Sequence, residues 1–398
     1  MNRMSDDRLR ELEQSRALKM ARSTHAYVRG NTAKFDDWLA EAGLARHLPE
    51  GPAIWICGDC HLGNLGPVGD AGGKVDVQIR DLDQSVIGNP AHDLIRLGLS
   101  LATAARGSDL PGVTTARMIE EMVEGYTHAM ADRDDDRAPE SNVVRAVRRR
   151  ALGRRWRHLA DERLDDVEPK LPLGKKFWKL DDDEQTALKA LFESPAVMAM
   201  ILSLSGRDAD DRARLVDAAY WKKGCSSLGN LRYAALLAIG GTKKSPSDYA
   251  LIDLKEAVAA IAPSSDPKTM PTDHAERVVA GAQALAPNLG ERMLATRVFD
   301  RPMVLRELMP QDLKLEIDQF SSSEATRAAR YLAYIVGVAH ARQMDRDDRA
   351  HWSKAIAQHT NAKIDAPTWL WDSVVHLTAS HEAGYLEHCR RYALAQAA

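Results

Sequence analysis

Asp59 and Asn64 stand five residues apart in the stretch WICGDCHLGN, Trp55 to Asn64. A carboxylate can orient or deprotonate an acceptor hydroxyl, and an amide oxygen can hold Mg²⁺; phosphoryl transfer asks both of one loop. Asp81 follows in IRDLDQ, where a second carboxylate could grip the metal that bridges ATP phosphates. The same stretch has a rival reading. Cys57, Cys60 and His61 spell C-x-x-C-H, the haem-attachment pattern of c-type cytochromes. Haem attachment goes with export, and the N-terminal MNRMSDDRLRELEQSRALKM has no apolar signal core, which argues against it. A zinc reading lacks a second cysteine pair, because Cys225 and Cys389 stand alone. Cys57 and Cys60 are expected as buried or half-buried thiols beside the site.

These residues need elements to hold them. PAIWICGD is a short apolar run and predicts a buried strand ending at Gly58, while KVDVQIRDLD alternates after the turn GDAGGK and predicts a second strand. NPAHDLIRLGLSLATAA predicts an apolar helix. Upstream, Asp6 to Leu44 reads as helical with a break near YVRGN, at Gly30 and Asn31. Helices fill Pro111 to Gly206, with EPKLPLGKKFWKLDDD between them as a surface loop. The character changes near Asp217. WKKGCSSLGNLRYAALLAIGG predicts strand, Gly-rich turn and strand, and DYALIDLKEAVAA a third strand carrying Lys255. HAERVVAGAQALA is an amphipathic helix, MLATRVFDRPMVLRELM a hairpin turning at Asp300-Arg301-Pro302, and the chain returns to helix from Ser321.

GDCHLGN and IRDLDQSVIGNPAHDL together resemble the catalytic core of aminoglycoside phosphotransferases and choline kinases, small-molecule branches of the protein-kinase-like fold. The resemblance implies Asp59 as catalytic base, Asn64 and Asp81 as Mg²⁺ ligands, and Asp93 as a brace of the catalytic loop. Asp81-Leu82-Asp83 takes the place of the kinase Asp-Phe-Gly. In the resembling families the loop histidine, here His61, mainly stabilises the loop. Such a chain should show a Gly-rich loop and an ATP-binding lysine before the catalytic loop, and the residues before Gly58 are too few for a β lobe. The missing parts come later. Gly224 and Gly229 bracket a phosphate-covering hairpin with Ser226 and Ser227, and Lys255 on the next strand contacts phosphate. Glu276 on the following helix is its expected ion-pair partner, with Gln283 second. PMVLRELM, with Arg306, resembles the adenine-holding strand and hinge, and TRAARYLAYIVGVAHARQMD the helix that leads into the catalytic loop. The implied architecture is an α+β, kinase-like two-lobed fold in circularly permuted order: a helical lobe over 1–210, a small antiparallel β lobe over 211–312, and helices over 313–398 completing the large lobe. This arrangement also resembles the bacterial domain-of-unknown-function family 2252, whose Gly-loop usually reads G-V-G-S-V-G. Here it is Gly224-Cys225-Ser226-Ser227-Leu228-Gly229, without the middle glycine.

Composition agrees with a globular protein. The 398 residues are 44% hydrophobic and 28% charged, with a net charge of −3, so no global field favours nucleic acid or membrane. No run approaches the roughly 18 apolar residues of a membrane span, and a cytoplasmic location is expected. Arg145, Arg148, Arg149, Arg150, Arg154, Arg155 and Arg157 form a dense basic run with Trp156 as its one aromatic, which reads as a solvated helix face more than a nucleic-acid platform. Arg29 either meets carbonyls at a helix end or reaches a phosphate, and Arg306 and Lys314 stay equally open. The expectation is an ATP- and Mg²⁺-dependent phosphotransferase acting on an unknown hydroxyl acceptor. Its rivals are transfer of AMP by the same fold and a nucleotide-binding pseudokinase.

Overall fold

The computed structural model describes residues 6–41, 48–131, 140–154, 160, 170–204, 207–208, 210–223, 229–242, 246–313, 321–358, 360–361 and 364–392, to which the absences and counts below refer. Among them are thirteen α-helices and a six-stranded antiparallel sheet, which make the chain α+β.

Three helices open the chain, α1 (Asp6–Met20), α2 (Thr24–Gly30) and α3 (Thr32–Ala40). The break expected near YVRGN falls at Asn31, whose side chain accepts from Lys34 N and caps α3, while Ser23 caps α2 through Ala26 N. Next come two small antiparallel pairs: β1 (Ile54–Ile56) with β4 (Val86–Gly88), and β2 (Leu65–Gly69) with β3 (Val75–Ile79). The strand expected to reach Gly58 stops at Ile56, because Gly58 turns the backbone at φ 72°. Helices α4 (Ala91–Gly107), α5 (Gly112–Met130) and α6 (Asn142–Leu152) follow, and α4 is buried on nearly every side, as its apolar sequence requires.

The stretch read as a surface loop contains a short strand, β5 (Phe177–Trp178), too brief to show a period. After α7 (Asp182–Leu191) and α8 (Pro195–Leu202) come β6 (Ala213–Trp221), β7 (Arg232–Ile239) and β8 (Asp248–Glu256), then α9 (His274–Leu285), α10 (Pro287–Gly290), β9 (Met293–Val298) and β10 (Arg301–Glu307). The sheet order is β5-β6-β7-β8-β10-β9, with α9 and α10 crossing between β8 and β9. The β9–β10 turn lies at Phe299 and Asp300, at φ 52° and 61°, one residue earlier than the sequence suggested. The chain closes with α11 (Ser322–Ala341), α12 (Arg346–Ile356), a short β11–β12 pair (Thr360–Asn361 and Ile364–Pro367) and α13 (Thr368–Tyr392).

Alternation along β8 separates two surfaces of the sheet. Ala250, Ile252 and Leu254 enter a core with Leu180, Leu188, Phe192, Val197 and Ile201. Leu251 lies on the opposite face with Trp221, Ala234 and Leu308, and Asp253 and Lys255 share its side by register. The elements packed with this sheet therefore start before residue 211: α7, α8 and β5 precede it in the chain and join it. A larger core joins β1–β4, α4, α5, α9, α11 and α13. Helices α5 and α11 pack tightly in it at Gly125, where a Cβ would stand 1.9 Å from Arg330 O.

Helix α1 touches elements of both cores. Its Leu12 is buried in the small-lobe core, and Arg8 pairs with Glu184 at 2.9 Å. At its other end Arg16 donates to Gly30 O at 3.1 Å, and α13 reaches it through Tyr385 to Ala21 O and His388 to Ala17 O. No described helix is long and apolar enough to cross a membrane.

Candidate active site

The loop that carries Asp59 is fixed from behind by Asp93, one of the first residues of α4 and fully buried. Asp93 Oδ2 accepts from Cys57 N at 2.7 Å and Oδ1 from Gly58 N at 3.0 Å. His340 on α11 completes the set, with Nε2 3.1 Å from Asp93 Oδ2. An ionised Asp93 can only accept, so His340 Nε2–H donates to it, while Trp352 Nε1 donates to Tyr126 Oη, which in turn lies 2.8 Å from His340 Nδ1. Gly58 is required here: a Cβ would lie 2.2 Å from Gln84 O, on the segment that holds Asp81.

On the working side of the loop, Asp59 is 8% exposed. Arg96 Nε donates to its Oδ1 at 2.8 Å, and the Thr32 hydroxyl to Oδ2 at 3.2 Å. Burial pushes the carboxyl up from its ordinary value, with Arg96 opposing. Asn64 Nδ2 donates to Asp59 O at 2.9 Å, which ties the two ends of the loop and directs the amide oxygen elsewhere. His61 is buried at 3.9 Å from Asp59 Oδ2, too far for a hydrogen bond, and burial, then Arg29 and Arg96, hold its imidazole well below the usual range. Behind Asp59, Asp36 is 6% exposed, neither of its oxygens has a hydrogen-bond partner, and burial raises it to about 7.

Across the cleft, Lys255 Nζ pairs with Asp83 and lies 3.6 Å from Asp81 Oδ1. Burial would raise Asp81, yet Lys255, Arg306 and Arg232 hold it at about 2. Lys255 in turn is lowered by burial against the pull of Asp81. Beside it, Arg232 grips the buried Asp253 with two bonds of 2.8 and 2.6 Å, and Arg306 adds a third at 3.2 Å. Burial opposes charge on Asp253, but Arg232, Lys223 and Arg306 keep it well below the carboxylate range. Asp59, Asn64, Asp81 and Asp83 all face one cavity of about 200 Å³, with Arg16 and Asn230 at its wall.

The placements differ from the sequence expectations at several residues. Glu276 is exposed in the first turn of α9 and makes no ion pair with Lys255; Gln283 is exposed too. The α9 residue that reaches the site is the buried Arg277, which donates to the carbonyls of Ser85, Asp83 (2.8 Å) and Val258 (3.0 Å). Arg306 is engaged with Asp253 and, at 3.2 Å, with Arg80 O, so it positions the strand before Asp81 instead of presenting itself to a nucleotide. Arg29 packs on the loop: a Cβ at Gly63 would lie 3.0 Å from its Cζ. Gly229 has φ 108° and open space around it. Gly224, Ser226 and Ser227 lie outside the described residues, as do Lys314, Arg155 and Arg157. Of the basic run, Arg145 and Arg148 pair with Glu140.

Cys57, Cys60 and Asp93 offer ligand atoms within 4.8 Å of one another, all buried. The donor set does not fit a metal. Both Asp93 oxygens already accept from amides, and both thiols are held above their ordinary range, Cys57 by its hydrogen bond with Cys60 and by burial, and Cys60 by burial despite that bond. Arg96 and Arg277 were not singled out from sequence. Arg96 had a signal, since DLIR sets a cation one turn after Asp93 in an otherwise apolar helix.

A family model described as an uncharacterized protein conserved in bacteria (DUF2252) matches residues 8–391, so the chain belongs to that family. No curated protein and no solved structure matches it.

Proposed function

We propose that this member of the DUF2252 family is an ATP- and Mg²⁺-dependent phosphotransferase with a kinase-like, circularly permuted fold, acting on a hydroxyl acceptor. The observation that carries the reading is the convergence of Asp59, Asn64, Asp81 and Asp83 on one cavity, with Lys255 reaching Asp81 and Asp83 from the sheet. The permutation is supported by the join between α11 and β1. Gln343, just past α11, accepts from Trp55 N at 2.9 Å and donates to Trp55 O at 3.0 Å, so the helix end leads spatially into the catalytic strand. The antiparallel order β6-β7-β8-β10-β9, with α9 after the lysine strand, supports a kinase-like small lobe.

The oxygen donors suit a hard cation. Asn64 has its amide nitrogen occupied and its oxygen available, and Asp81 is ionised and half exposed. Mg²⁺–ATP bound there supplies an activated γ-phosphoryl group. Asn64 and Asp81 would hold the metal, and Lys255 would exchange its carboxylate partners for phosphate oxygens. Asp59, kept in one rotamer by Arg96 and Thr32, would accept a hydrogen bond from the acceptor hydroxyl and take its proton. Arg277 holds the Asp83 and Ser85 carbonyls, and thereby the segment bearing the metal carboxylate.

The test is Asp59→Asn assayed with ATP labelled at the α- or γ-phosphate. It should retain Mg²⁺-dependent ATP binding and lose turnover by about 10²-fold or more. Unchanged turnover, or ATP binding insensitive to Asp81→Asn, would refute the reading, and label transferred only from the α-position would assign AMP transfer instead.

A further inference from the structure

A second concavity, of about 480 Å³, opens beside the cleft and has a different electrostatic character. Its wall is the face of α1 bearing Ser15, Leu18 and Lys19, with Arg22 just beyond the helix. Opposite stand Lys175 and Lys176 before β5 and Lys222 and Lys223 after β6, over Trp221. Six cations thus line the cavity, and no carboxylate does. Some are partly compensated from outside it: Lys222 pairs with Glu11 at 2.6 Å, and Lys223 lies 4.0 Å from Asp253 and 3.9 Å from the Trp221 ring centre. Arg22, Lys175 and Lys176 make no salt bridge among the described residues, and all three are exposed. Like charges gathered in a concavity repel one another and focus a positive potential, in a chain whose net charge is −3.

From this we infer that the cavity is a binding site for a small oligophosphate anion, separate from the proposed catalytic cavity, with which it shares no lining residue. Lysines act as point charges toward phosphate without demanding bidentate geometry, which suits a chain of phosphates over a planar carboxylate. The volume falls within the range of small-ligand pockets, roughly 300–1,000 Å³. Nucleic acid fits less well, since Trp221 is 3% exposed and offers no stacking platform.

The site is tested by calorimetric titration of the full chain with inorganic tripolyphosphate in EDTA, which removes any metal-dependent binding in the catalytic cleft. Saturable, salt-sensitive binding is expected, weakened at least about tenfold by Lys175→Glu with Lys176→Glu and unchanged by Asp81→Asn. Both lysines are exposed, and an unaltered melting temperature verifies that the double variant folds. No binding up to about 1 mM, or equal affinity in the double variant, overturns the site. A soluble inositol polyphosphate that binds as well as tripolyphosphate supports a free anion. Binding seen only with phosphoinositide vesicles, or tighter binding of a single-stranded oligonucleotide, overturns the small-ligand assignment. None of these outcomes depends on whether Asp59 is catalytic.

Discussion

Replacing Asp93 by Asn removes one charge and alters one atom of the group that braces the Asp59 loop. In the native arrangement Oδ2 accepts from Cys57 N and His340 Nε2, and Oδ1 from Gly58 N. The best fit for Asn keeps its oxygen at the two-donor position and turns its amide toward Gly58 N. One buried N–H then loses its acceptor and faces a second donor, which costs about 1–3 kcal/mol. The remaining two bonds lose their ionic partner and weaken by about half, adding on the order of 1 kcal/mol. The sum, about 2–4 kcal/mol, is a large share of a typical stability of roughly 5–15 kcal/mol. Urea denaturation followed by circular dichroism should show the midpoint falling with an unchanged slope. Pairing Asp93→Asn with His340→Ala in a double-mutant cycle should give a coupling of at least about 0.5 kcal/mol, because the two touch. A loss of stability below about 0.5 kcal/mol in Asp93→Asn would refute the bracing argument.

Asp36 provides a pH test. Burial raises its carboxyl to about 7, above its unfolded value, so its protonated form favours folding at low pH and that contribution is lost as pH rises toward 7. Asp36→Asn should therefore stabilise the fold at pH 8 by on the order of 2–4 kcal/mol, seen as a raised melting temperature, and change little at pH 4; equal effects at both would contradict it. Gly125→Ala should destabilise by about 3 kcal/mol or more in chemical denaturation, since the new methyl meets backbone that cannot step aside. Arg277→Met, which strands three carbonyls, should lower stability by about 2–4 kcal/mol and, for the proposed reaction, raise the KM for ATP, whereas Arg277→Lys should recover part of both.

The loop residues were legible because they are contiguous: Gly58 to Asn64 is one loop, and the period-2 pattern before Asp81 places that carboxylate just past a strand. The ion-pair partner of Lys255 was misread because spacing to a helical glutamate was weighed above helix-start chemistry. Asp273 accepts from Ala275 N and Glu276 N as the N-cap of α9, and an acidic residue three after an N-cap sits in the solvent turn. That pattern was present in DHAE. Arg232 and Asp253 form a pair across neighbouring strands, and a single sequence carries no register that would bring them together. The early start of the elements around the sheet was hidden for a similar reason. Helices α7 and α8 continue the helical text that precedes them, and only packing shows that they cover the sheet.

Helix α1, anchored at both ends, also bears on kinetics. Any widening of the cleft must either use α1 as its pivot or free one end, and freeing the small-lobe end exposes Leu12 at a cost of roughly 2 kcal/mol before the Arg8–Glu184 pair is counted. A penalty of that size holds the open population to a few per cent, since about 1.4 kcal/mol is a factor of ten. Entry and departure of anything bound at Asp59 would then be timed by the unfastening of one N-terminal helix, so truncating α1 should quicken ligand exchange even though only Arg16 of that helix borders the cavity.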